Sequence, residues 1–182
     1  MPRKAASALA PAAATSFDIA IWFMERARTR DSYLQPRKLQ SLMFLAQAHF
    51  AAACGGRRLM PSVFVFDEGG PLDPNIYRAF EHGRPTITET PLGDEVLVFL
   101  DAVWRRYADA DALRLDQIVA KRGAAEEAIR RRDGSEIGID AMRRMFAKQP
   151  GERAEAPRTL RSHTGRAVTV QKWVPGQKSP AA

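Results

Sequence analysis

The chain is 182 residues long and 45% hydrophobic, enough for one domain with a substantial core. Its net charge of +7 sits in the ends: residues 1–16 carry +2 and residues 148–182 carry +5, which leaves residues 17–147 neutral and a poor electrostatic footprint for DNA. A single cysteine, Cys54, excludes an internal disulfide framework, and no apolar run reaches the ~18 residues of a membrane span.

Residues 1–16 are Ala/Pro-rich and read as a disordered tail. Their basic start and Ala-x-Ala ending imitate a signal peptide, but Leu9 is the only large aliphatic residue, so the expectation is a cytoplasmic protein. Thr15-x-x-Asp18 is a looser capping box and predicts a helix to about Arg28. Pro36 suits a first helical turn, and Leu39, Leu42, Met43, Ala46 and Phe50 share one helical face. Phe44 and Leu45 lie off that face, so the predicted helix over 36–54 is apolar around much of its circumference and should be central. Cys54, in its last turn, reads as a small buried hydrophobe.

Residues 60–66 read as a strand or extended segment, with 86–88 as a candidate pairing partner. Between them, Gly69-Gly70-Pro71 predicts a tight turn, and Asp73 before Pro74 predicts a capped short helix that Gly83 stops. Thr90 and Pro91 suggest the next helix start, followed by the amphipathic series Val96, Leu97, Leu100, Val103, Trp104 and Tyr107. Further helices are expected from Asp111 to about Arg122, over 124–132, and around Ile139, Met142 and Phe146. From Gln149 onward, four prolines, three glycines and few large apolar residues predict a basic tail. The expected fold is mainly α, a multi-helix domain around a central apolar helix with a small two-stranded β element.

Lys38-Leu39-Gln40, with Leu42, Met43 and Phe44, and then Gly70-Pro71-Leu72 with Tyr77 beyond, form a recognisable order of parts. It resembles the Panacea domain, the family of SocA-like antitoxins and phage-associated proteins, over residues 17–147. Ser41 stands where that family usually has a second Lys, Leu72 stands for a Val, and residues 63–66 lack its usual Trp. The resemblance implies a non-enzymatic module that binds a toxin encoded nearby, neutralising it by contact or delivering it to a protease, without a cofactor. It makes Lys38, Gln40, Asp67, Gly70, Pro71 and Tyr77 the candidate partner-binding or motif residues.

The chemistry-bearing residues offer no catalytic pattern. His49, His82 and His163 have no metal-ligand spacing to one another or to Cys54. Asp67-Glu68 reads as a solvated turn, and Gly69-Gly70-Pro71 lacks the Lys-Ser/Thr of a phosphate loop. No nucleophile elbow is found. Glu126 and Glu127 each precede an arginine of Arg130-Arg131-Arg132 by four residues, which supports a solvated helix face or else an anion contact. Gln40 and Gln47 flank Phe44 and suggest a polar seam inside a helical core, whereas Lys38 points elsewhere on the helix. In the tail, Arg161, Arg166 and Trp173 are candidate contacts to nucleic acid, the second functional reading. Ala167-Val168-Thr169-Val170 could equally add a strand to a protein partner. No membrane partner is expected.

Overall fold

A computed structural model describes residues 10–67, 70–120 and 136–147, and the backbone of 158–161 and 167–170. The chain divides into two compact units, 1–147 and 148–182. The first is mainly helical, and none of its described helices is long and apolar enough to cross a membrane.

Helix α1 (Ser16–Arg28) starts where the capping residues predict. Thr15 Oγ1 accepts the Asp18 N–H at 3.1 Å and donates to the Asp18 carboxylate at 2.7 Å. The other Asp18 oxygen accepts the Thr90 N–H at 2.8 Å, so one buried carboxylate ties the helix start to a distant loop. Thr15→Ala is expected to cost about 1 kcal/mol, as N-cap deletions do, in urea denaturation. The folded body begins earlier than residue 17. Ala12 and Ala13 donate to Arg58 O and Leu59 O, and Ala13 is buried, because a methyl side chain lets this backbone lie flat against the loop.

Helix α2 (Pro36–Ala53) is the axis of the unit, with 12 of its 18 residues buried. It is packed by α1, α3 (Pro74–Phe80), α4 (Asp94–Tyr107), α5 (Ala112–Ala120) and, most extensively, α6 (Ile139–Phe146). Its apolar circumference is therefore satisfied by neighbours on several sides, as the sequence pattern requires. Helix α4 starts at Asp94 after an N-cap Gly93, three residues later than the expected Thr90–Pro91 start, and residue 90 is instead tied to α1 by the Thr90 N–H bond to Asp18. Asp94 and Glu95 do occupy its first turn, where they meet the positive end of the helix dipole. Asp111 Oδ1 accepts from Arg114 N at 2.7 Å and caps α5.

The small sheet differs from expectation. Strand β1 (Val65–Asp67) pairs antiparallel with β2 (Gly70–Leu72) in the register Val65↔Leu72, and residues 86–88 form no strand. Only two residues separate the strands, so closing this hairpin costs far less entropy than reaching a segment some twenty residues away. Pro71 is tolerated because β2 is an edge. The other side of β1 bridges to Glu136, and Ile137 N donates to Phe64 O at 2.7 Å.

The expected helix over 124–132 lies outside the described residues. In the second unit, β3 (Arg158–Arg161) pairs antiparallel with β4 (Ala167–Val170), where the sequence reading expects an unstructured tail. The β-branched residues of Ala167-Val168-Thr169-Val170 suit a strand despite the low apolar content.

Candidate functional site

The first two turns of α2, the β hairpin and α3 enclose a cleft of about 440 Å³. Gln40, Asp67, Gly70, Pro71 and Tyr77 all line it, so five of the six candidate residues converge there. Lys38 does not. Its Nζ donates to Ala108 O at 2.5 Å and caps the C-terminal end of α4, a structural role on another side of α2. Arg161 belongs to β3 in the other unit, while Arg166 and Trp173 lie outside the described residues.

The walls of the cleft are held by buried polar groups. Gln40 Oε1 accepts the Asp73 N–H at 2.9 Å and fastens the β2–α3 junction to α2. Asp73, fully buried, caps α3 by accepting from Asn75 N and Ile76 N at 2.9 and 3.2 Å, and its second oxygen accepts the Ser62 hydroxyl. The carboxylate can be buried because every oxygen has donors. One helical stretch further along, Gln47 accepts from Leu59 N and Met60 N and donates to Met60 O. The polar seam read from the flanking of Phe44 is thus present, and its two members hold two different loops against α2.

An acidic anchor behind the cleft has no signal in the sequence. Asp116 of α5 pairs with Arg37 and accepts from Ser41 Oγ at 3.0 Å. Gly70 is pressed against this carboxylate with φ of +111°, and a Cβ there would lie 3.0 Å from Asp116 Oδ1. Glycine is therefore required twice over, for the positive φ and for the close approach. Gly70→Ala is expected to cost about 1–3 kcal/mol in urea denaturation, the usual range for backbone strain of this kind.

A second cleft of about 320 Å³ adjoins the first and shares Pro36, Gln40 and Tyr77 with it. Its remaining lining includes Met24, Leu34, Leu39, Ile76 and Phe80, an apolar set, with Tyr33 at its rim. Tyr33 and Tyr77 are 79% and 51% exposed, unusual for aromatic side chains beside an apolar floor. Arg84, also lining this cleft, is clamped by Glu25 and Glu89. Hydrogen bonds from Arg28 and then Arg84 hold the Glu25 carboxyl below its ordinary range. A lowered carboxylate pKa stabilises the folded form above the unfolded value and is lost as pH falls through the folded one, so this exposed clamp loosens only in acid.

Among the described residues, no group of three or more His, Cys, Asp and Glu is placed to hold a metal ion. His49 Nε2 lies 2.6 Å from Tyr107 Oη and its ring stacks near Phe146, linking α2, α4 and α6. Cys54 is half-buried rather than buried, and desolvation followed by the charge of Glu95 raises its thiol pKa, which disfavours the reactive thiolate. Compared with protein-family models, with curated proteins and with solved structures, the chain finds no match.

Proposed function

We propose that this chain is a non-enzymatic, antitoxin-like protein-binding module of the cytoplasm, which neutralises a toxin by direct contact or delivers it to a protease as an adaptor. The observation that carries this reading is the convergence of Gln40, Gly70, Pro71 and Tyr77, which the Panacea resemblance singles out, with the candidate residue Asp67 on a single cleft. A mostly apolar concavity beside exposed tyrosines is the kind of surface that binds protein, since tyrosine supplies large contact area at low entropic cost. Binding would be stoichiometric and need no cofactor. The neutral charge of residues 17–147 favours protein over nucleic acid as the partner of the folded body.

The experiment is to express each neighbouring reading frame alone and together with the full chain. Growth arrest by one of them, relieved by the chain and accompanied by co-purification of the two proteins, is the expected result. A second reading rests on the +5 charge of residues 148–182: a nucleic-acid-associated regulator using its basic tails. It takes over if no neighbouring product binds while the full chain binds DNA with a steep salt dependence.

A further inference from the structure

Away from the hairpin, the last turns of α1 and the second half of α4 form another cleft, of about 470 Å³. Its lining carries three arginines, Arg26, Arg30 and Arg105, against one carboxylate, Asp101. This local excess of cations lies on a body that is neutral over residues 17–147. The three guanidinium groups are not equivalent. Arg26 is occupied, since it pairs with Asp101 and lies over the Trp22 ring. Arg105 donates through Nε to Asp101 O at 3.3 Å and has no carboxylate partner among the described residues. Arg30 lies over Trp104, 5.4 Å from the ring centroid, and reaches Asp109 at 3.4 Å. The Asp109 side chain is 94% exposed, so that pair contributes little and an incoming carboxylate can take its place. A guanidinium resting on an aromatic face is held by its charge and keeps its in-plane N–H donors for an acid. The negative helix end accounts for Arg26 and Arg105 in their last turns, but Arg30 lies past the end of α1.

We infer that the α1–α4 cleft is a docking site for an acidic segment of a partner protein, whose carboxylates pair with Arg30 and Arg105 while a neighbouring aliphatic side chain covers Val98. The inference rests on the protein-binding reading and adds a second contact surface to it. Charge complementarity sets the sign of the partner: a cationic or neutral segment would leave the excess of arginines unanswered. Arginine also suits a carboxylate in shape, because its planar fork matches the two oxygens in parallel hydrogen bonds. Val98 decides between a protein and a nucleic acid. It is 69% exposed and lines the same cleft, an aliphatic surface that an acidic peptide carrying one apolar residue covers and a sugar-phosphate backbone does not. Asp101 points the same way. A continuous row of phosphates would have to pass this carboxylate, whereas separate acidic side chains reach Arg30 and Arg105 on their own.

Phage-displayed random dodecapeptides selected on the full chain test this, with enriched sequences labelled with fluorescein and titrated by fluorescence polarisation. The expected result is a shared motif of Asp or Glu residues beside an aliphatic one. Arg30→Gln and Arg105→Gln should each weaken binding by at least about fivefold, the loss that marks a contributing interface contact. Val98→Ser should weaken it by about fourfold, the share of one buried methyl group. Arg78→Gln is the control: it removes the same charge from an exposed site on α3 and should leave binding unchanged. All four variants keep the basic residues 148–182, so a loss confined to the first three reports the cleft and not the tail. Unchanged binding in any of those three, or an equal loss in Arg78→Gln, overturns the inference. A DNA duplex of about 20 base pairs, weakened by Arg30→Gln and Arg105→Gln while the peptides are not, overturns it in favour of nucleic acid. A dimer in sedimentation equilibrium that Arg105→Gln dissociates overturns it in favour of a second copy. A neighbouring gene product that binds wild type and the Arg30→Gln/Arg105→Gln double variant equally removes the cleft and leaves the protein-binding reading intact. Selected peptides that lose binding as expected, with no neighbouring product bound, support the cleft and remove the antitoxin reading.

Discussion

Gln47→Met is expected to destabilise the protein by about 2–5 kcal/mol, although methionine matches glutamine in length and nearly in volume, because it leaves buried donors unpaired. Gln47 is wholly buried in the middle of α2. Its oxygen accepts from Leu59 N at 2.9 Å and from Met60 N at 3.1 Å, where no water can substitute without opening the core. Met60 O keeps a second partner, the Ser62 N–H, so the cost falls mainly on the two amides. No cavity forms, which separates this loss from a packing defect. Urea denaturation with an unchanged slope and a lower midpoint would register it. A change below about 1 kcal/mol would mean that the loop over 59–60 moves to find other partners, contrary to the burial seen.

Phe44→Ala should cost about 3–5 kcal/mol, the range for emptying a fully buried aromatic site. Phe44 has no exposed surface and meets Phe64 edge-to-face, with ring centroids 5.4 Å apart. Its ring fills the space between α2 and the extended segment leading into β1, so the void cannot collapse without shifting the hairpin. Phe44→Leu refills most of that space and should cost clearly less. Equal losses for the two substitutions in chemical denaturation would show that the ring contact with Phe64, rather than volume, dominates.

The sequence made some of this legible and hid the rest for physical reasons. Pro36, the apolar series from Leu39 to Phe50, Thr15 and Asp73 act within one or two helical turns, so their helices can be read locally. The start of α4 could not, because Thr90 is a good cap by type, yet the chain there is tied to Asp18, 72 residues away. The hairpin is not legible locally, because Gly69-Gly70-Pro71 reads as a turn into a helix, while Gly70 and Pro71 are themselves strand residues. Within the cleft, Gln40, Gly70, Pro71 and Tyr77 are legible through the resemblance. Gln47 was found by its place beside Phe44. Arg37, Ser41 and Asp116 carry no such signal: a lone aspartate on α5 gives no hint that a glycine and an arginine will press on it from elsewhere.

The burial of α2 has a consequence for the order in which the chain can fold. Its most extensive neighbour, α6, begins at Ile139, and Phe64 receives its backbone bond from Ile137. During synthesis, α2 therefore emerges long before the segment that covers it. At ordinary elongation rates that interval is ~5–20 s, during which an almost uniformly greasy helix lacks its largest cover. Nascent chains of this protein should depend on holding chaperones more than a neutral, single-core domain of its size ordinarily would. A truncation that ends before Ile137 should accumulate as aggregate rather than as a smaller folded protein.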